Sequence, residues 1–245
     1  GVQAILPFIH KKIVTYGFSR QADVQARDID MQGFNSSYDL LFKDYKLGRI
    51  SLKVTGKHNI QNSLLAASIG LELDIPFPAI QDGLGKFSGV YRRFDLKGEA
   101  GGITIYDDYA HHPTEIIATL EGFKDSAKRR IVALFQPHLY SRTRDFYEEF
   151  GKSFFSCDCL ILAPIYPARE QPIPGISSKL IADAAIQSGH HNVHLIKSNS
   201  EIVSQTLALL KEGDILITMG AGNIWQYGEE ILRQLKNYVD TNHKQ

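Results

Sequence analysis

The sequence predicts an α/β protein in which a mainly parallel sheet is covered by helices and preceded by a smaller β-rich region. Three observations carry this. From residue 103 onward, short apolar runs alternate with amphipathic stretches of helical length. The region before it, about 90 residues, strings strand-like segments together ahead of one long helical stretch. Between the two textures lies a Gly-rich stretch at 87–101, where Gly89, Gly98 and Gly101 surround the basic pair Arg92-Arg93.

Each element has a local reason. The first region opens with a helix-like piece ending near His10. Strands are expected at 13–18, 24–31, 38–42 and 49–54, with Gly33, Asn35 and Gly48 as turn formers. Residues 56–73, GKHNIQNSLLAASIGLEL, read as a helix with Ile60, Leu64, Leu65, Ala67 and Ile69 on its apolar side. Pro76 and Pro78 stop it and start a short helix through Leu84. In the second region strands are expected at 103–107, 131–135, 160–163, 193–196 and 215–219. Helices are expected at 113–123, 142–155, 177–187, 198–210 and 224–235, with Ser198 and Glu201 at capping-box spacing. Such alternation implies parallel strands joined by crossover helices. Ligands of such sheets bind beyond the carboxyl ends of the strands.

Composition narrows the function. A chain of 245 residues with 43% hydrophobic content builds one large domain or two ordinary ones. Lys plus Arg equals Asp plus Glu at 27 each, so there is no general attraction for nucleic acid or an anionic membrane. No apolar run approaches the roughly 18 residues of a membrane span. Cys157 and Cys159, one residue apart, are poorly placed for a mutual disulfide and fit a reducing cytosol. The opening GVQAILPFIHKK lacks a signal-peptide pattern and an initiating Met, and reads as a chain entered partway through a longer protein.

Chemistry concentrates at the expected strand ends. DDYAHHPTE, at 107–115, ends one strand and begins a helix, with Pro113 suited to the first turn. Asp107 or Asp108 suits a ribose hydroxyl or a metal-bound water, and His111 or His112 an anion or a proton near neutral pH. A capped helix with a solvated loop is the plainer alternative. FQPHLYSRTRD, at 135–145, follows the next strand, expected beside the first. Its Gln136, His138, Ser141, Arg142 and Arg144 point to anion binding, because cations at a helix N-terminus oppose the helix dipole. Arg92 and Arg93 fit either phosphate contacts across a cleft or a solvated linker. His58, Asn59 and Asn62 fit either a purine edge or simple helix capping. GAGN, at 220–223, matches a dinucleotide fingerprint only at Gly220 and Gly222, so a tight turn capped by Asn223 reads better. Gly151-Lys152-Ser153 mimics the tail of a phosphate loop, but Phe146 replaces the leading glycine. His190, His191 and His194 read as a polar loop, and no metal site is expected.

Together GKHNIQN, GVYRRF at 89–94, DDYAHHPTEI, FQPHLYSRTRD and GAGNIW resemble the bacterial Mur ligases, as do TYGF at 15–18 and ADVQA at 22–26. The resemblance implies a three-domain enzyme. Residues 1–91 match the C-terminal part of its central ATP-binding domain, and residues 92–245 match its C-terminal Rossmann-like domain. The UDP-sugar domain and a GxxxxGKS-type phosphate loop are then expected elsewhere, and this chain alone is expected to be inactive. The implied reaction is cytoplasmic: ATP and Mg²⁺ activate the carboxylate of UDP-N-acetylmuramate as an acyl phosphate, and an amino acid attacks it, in peptidoglycan biosynthesis that supports cell shape and division. TYGF and the DDYAHHPTEI–FQPHLYSRTRD pair favour members that use L-alanine. Most Mg²⁺ ligands are expected outside this chain.

Residue by residue, the resemblance places His58, Asn59 and Asn62 at the adenine site, Arg93 at the ATP phosphates and Asp108 near the ribose. It places Tyr109, His111, His138 and Arg142 around the incoming alanine and the reacting carboxyl, and makes His111, Arg142 and Arg93 the catalytic candidates. Leu139 departs from the Arg that many members carry, and Asn223 from the usual Asp. Two alternatives stay open: a ligase that joins a preformed tripeptide to the same sugar nucleotide, and a non-catalytic nucleotide-binding module that uses GAGN.

Overall fold

The computed structural model describes residues 6–33, 35–87, 89–126 and 128–242. The chain divides into two compact units, Gly1–Ser88 and Gly89–Gln245.

In the first unit, β1 (Tyr16–Gly17), β2 (Val24–Gln32), β3 (Asn35–Phe42) and β4 (Tyr45–Leu52) form one sheet in that order. β1 runs parallel to β2, and the other pairings are antiparallel. Helices α1 (Lys57–Glu72) and α2 (Phe77–Lys86) follow. Residues 6–8 form a short 3₁₀ turn, and residues 1–5 of the expected opening helix lie outside the described residues. The strand expected at 13–18 shrinks to two residues. Beside it, Asp23 accepts hydrogen bonds from the Thr15 N–H at 2.8 Å and the Thr15 hydroxyl at 2.7 Å. Ile60, Leu64 and Ala67 of α1 pack into a core with Val24, Tyr38, Leu40 and Ile50. Leu65 and Ile69, expected on the same face, are 41% and 53% exposed. At about 100° per residue the buried stripe passes through 60, 64 and 67, and leaves 65 and 69 around the side.

The second unit carries β5 (Asp95–Ala100), β6 (Ile103–Asp108), α3 (Pro113–Ser126), β7 (Ile131–Phe135), α4 (Tyr140–Ser153) and β8 (Cys159–Leu162). It continues with α5 (Lys179–Gln187), β9 (Val193–Leu195), α6 (Ile202–Leu209), β10 (Ile215–Met219) and α7 (Ile224–Asn242). Strand order is β5-β6-β10-β7-β8-β9. All pairings are parallel except β5 with β6. Every residue of β6, β7, β8 and β10 is buried, as expected for strands covered on both faces. One face packs Ile105, Leu134, Ile161, Leu216 and Ile231. On the other, Phe135 meets Phe150 and Phe154 with ring centroids 5.5 and 5.1 Å away.

Several expectations are corrected here. β5 falls in the stretch read as a Gly-rich boundary. It is an antiparallel edge strand whose register shifts between Leu96 and Gly98. A Cβ at Gly98 would lie 2.9 Å from Leu232 of α7, so glycine there admits the helix. More important for the site, β10 inserts between β6 and β7. The two motif loops therefore do not sit on neighbouring strands, and the GAGN turn lies between them. Ser198 accepts from the Ser200 N–H at 3.3 Å and caps a 3₁₀ turn instead of a capping box. Gly151 lies within α4, where a Cβ would sit 2.6 Å from the Ala184 backbone, so it serves helix packing. Among the described residues no helix is long and apolar enough to cross a membrane.

Candidate active site at the strand ends

The loop after β6 is a saturated frame. Asp107 is 1% exposed; it pairs with Arg92 at 2.7 Å and accepts from the Thr218 hydroxyl at 2.7 Å. Asp108, also 1% exposed, accepts from the N–H groups of Phe94 at 3.0 Å and Ala110 at 2.9 Å. Burial pushes its carboxyl above the usual range, against the Phe94 and Ala110 bonds, the charge of Arg93 and the Thr119 hydroxyl. Glu115 caps the start of α3 by accepting from the N–H groups of His111 at 3.0 Å and His112 at 3.2 Å. Burial opposes its charge, but those bonds and the nearby His111 and Arg93 outweigh it and hold the carboxyl low. The segment is a capped helix start, as the plainer reading had it. His111 Nδ1 lies 2.9 Å from the Tyr109 carbonyl and 3.3 Å from Glu115. A carbonyl only accepts, so Nδ1 carries the proton and Nε2 of the neutral ring keeps its lone pair.

The loop after β7, with the start of α4, is different. Gln136 Oε1, His138 Nδ1 and Arg142 Nη1 are buried and have no hydrogen-bond partner among the described residues. Buried polar atoms are normally paired, so three together, in this loop and the first turn of α4, make it a candidate ligand site. Gln136 uses its amide N–H to reach Asn223 at 3.2 Å. His138 stacks on Tyr166 with centroids 5.8 Å apart and stands 6.2 Å from the His111 ring. Burial lowers the His138 pKa, helped by the charge of Arg142 and by His111, so the ring is neutral at pH 7. Not all the motif's polar residues turn inward. Arg144 pairs with Asp145 on the surface at 2.7 Å, and Ser141 donates its N–H to Glu170 at 2.9 Å and its hydroxyl to the same carboxylate. His112 packs against Phe146, centroids 5.3 Å apart.

The GAGN turn knits the two loops together. Gly220 has φ +142°, and a Cβ there would lie 2.6 Å from the Gln136 carbonyl oxygen; a Cβ at Gly222 would collide with Gln136 and Tyr166. Close packing alone accounts for glycine at both positions. Asn223 offers its side-chain oxygen to Gln136. Leu139 begins α4 at φ +74°, a conformation that L-residues rarely adopt. Tyr166 and Glu170 were not singled out in the sequence. Both lie in the loop after β8, the next parallel strand, so the strand-end rule applied once more finds them.

Arg93 is exposed, and its guanidinium makes no hydrogen bond or ion pair among the described residues. In the first unit, His58 and Asn62 are exposed on α1, and Asn59 donates to the Thr55 carbonyl at 2.7 Å. His190 approaches the Cys157 carbonyl at 3.1 Å, and both cysteines are buried free thiols. No three His, Cys, Asp or Glu side chains among the described residues come together as a metal cage.

The mainly parallel sheet, with basic and imidazole groups over its strand ends, makes this an α/β domain with a candidate ligand site, and family models match most of the chain. Residues 92–222 match the Mur ligase glutamate ligase domain and residues 2–70 the Mur ligase middle domain. The chain belongs to the Mur ligase family. It is 45% identical over 241 residues to the UDP-N-acetylmuramate–L-alanine ligase of Salinibacter ruber, covering 97% of this chain and 50% of that protein. The enzyme of the same name from Geobacter sp. strain M21 is 46% identical over 237 residues, covering 96% and 51%. The chain thus spans about half the length of the curated relatives it matches. The fold is shared with the UDP-N-acetylmuramate–alanine ligase of Thermotoga maritima, with a TM-score of 0.77 at 22% identity over 92% of this chain and 48% of that one. It is also shared with a murein peptide ligase of Psychrobacter arcticus, with a TM-score of 0.63 at 24% identity over 91% and 46%.

Proposed function

We propose that the full-length protein joins L-alanine to the carboxylate of UDP-N-acetylmuramate with consumption of ATP. On this reading it works in the cytoplasm, in the peptidoglycan synthesis that underlies cell shape and division. Residues 1–91 then belong to its central ATP-binding domain and residues 92–245 to its C-terminal domain. The observation that carries the reading is the trio of unpartnered buried atoms in the loop after β7. A free amino acid presents one carboxylate and one amine. Arg142 offers the former an unused donor. Gln136 Oε1 and His138 Nδ1 offer the latter acceptors, and the lowered His138 pKa keeps that lone pair available.

His111 complements them. Its Nδ1 proton is held by the Tyr109 carbonyl with Glu115 close by, so Nε2 accepts a proton from the attacking amine and Glu115 steadies the resulting imidazolium. Tyr109 borders the same place, with its ring 5.0 Å from His111. ATP, when bound, supplies the phosphoryl group that turns the sugar carboxylate into an acyl phosphate. Arg93, exposed and uncommitted, suits a phosphoryl oxygen. Asp108 stands behind Arg93 as its electrostatic neighbour, and its oxygens are already occupied by main-chain N–H groups. His58, Asn59 and Asn62 are assigned to the adenine. Mg²⁺, when bound, would take most of its ligands from the rest of the full-length protein.

The test is phosphate release by the full-length protein with ATP, UDP-N-acetylmuramate and either L-alanine or a stem tripeptide. Release that requires L-alanine is expected. Preference for the tripeptide, or release indifferent to both, would sink the reading.

A further inference from the structure

Arg92 and Arg93 are adjacent in sequence and opposite in fate. Arg92 is 8% exposed. Its Nε reaches Asp107 at 2.7 Å, its Nη2 the Gly220 carbonyl at 2.5 Å and its Nη1 the Gly222 carbonyl at 3.2 Å. The Tyr109 ring lies 5.0 Å from its guanidinium carbon. One planar side chain therefore ties the end of β6 to both ends of the GAG turn, using the fork geometry that only arginine has.

The backbone around it is equally pinned. Arg92 has φ +61° and Phe94 φ +48°. Left-handed conformations at non-glycine residues are costly and persist only where surrounding contacts enforce them. Here the Arg92 carbonyl accepts from Tyr109 N–H at 2.6 Å, Arg93 N–H donates to Val90 at 2.9 Å, and Phe94 N–H donates to Asp108 at 3.0 Å. The Phe94 ring stacks on Phe123 at 4.6 Å. Both neighbours of Arg93 are thus anchored inward, and Arg93 between them turns out, close enough to Asp108 and Glu115 for its charge to act on both carboxyls.

We propose that Arg92 is a positioning residue: by bridging Asp107 and the Gly220 and Gly222 carbonyls it holds Arg93 in the one orientation that presents a cation to a phosphoryl oxygen. It also ties that orientation to the turn that packs on Gln136, so the phosphate-facing cation and the loop after β7 share one frame. This rests on the reading of Arg93 given above.

The test is a double-mutant cycle in the full-length protein, with kcat for ATP-dependent ligation and melting temperature measured on each variant. Arg93→Ala is expected to lower kcat by about a hundredfold. Arg92→Met is expected to lower it by tenfold or more, on the order of what slight misplacement of a catalytic group costs. The double variant is expected within about twofold of Arg93→Ala alone, because Arg92 acts through Arg93. If the two losses multiply, Arg92 acts independently and the proposal is overturned while the role of Arg93 stands. If Arg93→Ala is silent, the phosphate reading of Arg93 falls and this proposal falls with it. Should Arg92→Met fail to fold, Arg92→Lys, which keeps the charge near Asp107 but loses the fork, takes its place in the cycle. Wild-type kcat in Arg92→Lys would also overturn the proposal.

Discussion

From the end of β6 to the start of α3, every carboxylate is engaged: Asp107 by Arg92 and Thr218, Asp108 by two main-chain N–H groups, Glu115 by two more. In the loop after β7 and the first turn of α4, three buried polar atoms of Gln136, His138 and Arg142 have no hydrogen-bond partner among the described residues. The two segments carry similar residue types at similar strand ends, yet one is a finished frame and the other the proposed alanine socket. Buried polar groups with every bond made hold the structure together, and the unpaired ones are where the proposed alanine would bind.

That contrast can be broken by mutation. The largest stability loss is expected from Asp107→Ala, which leaves the Arg92 guanidinium buried without its anion. Removing one partner of a buried pair costs about 3–5 kcal/mol, so the melting temperature of the chain should fall by roughly 10 °C. A shift within a degree or two would mean that the loop after β6 is not a frame. Gly220→Ala comes next. The Gln136 carbonyl oxygen would lie 2.6 Å from the new Cβ at φ +142°, and overpacking of this kind costs about 1–3 kcal/mol. Chemical denaturation of the two proteins checks it, and equal midpoints would deny the tight turn.

A smaller effect concerns acid. Glu115 is held below its ordinary value of 4.5. Its folded-state pKa is the lower one, so its stabilisation is full above about pH 4.5 and fades as pH falls through the depressed value. Glu115→Gln should flatten that part of the stability–pH curve. If thermal melts of the variant keep the wild-type acid slope, the capping role is wrong.

The smallest stability change is expected at Arg142. Its unsatisfied donor contributes nothing to the fold, so Arg142→Ala should leave stability within about 1 kcal/mol of wild type, or raise it. In the full-length protein the KM for L-alanine should rise about tenfold or more. A melting temperature well below wild type would move Arg142 from the socket to the frame.

Much of this was legible in the residues. Pro113 at a helix start, the apolar runs of β6, β7 and β10 and the polar groups just beyond them follow from local spacing and from the strand-end rule. The motifs themselves carried the family. Edge strand β5 was not legible, since Gly98 and the charged residues beside it suppress the alternation that marks a strand. Tyr166 and Glu170 were missed because they enter the site through the loop after β8, and a stretch such as PIYPARE has no chemical signature of its own.

What the sequence alone determined is which residue types stand at which strand ends, because periodicity and capping are properties of neighbours along the chain. What only the tertiary structure decided is which of them are used up. Arg92 and Arg93 look alike in the sequence. One is buried against Asp107 and two carbonyls and the other is left exposed, because β10 slots between β6 and β7 and brings the GAG turn within reach of a single guanidinium. That order is set by long-range packing, to which no local pattern is sensitive.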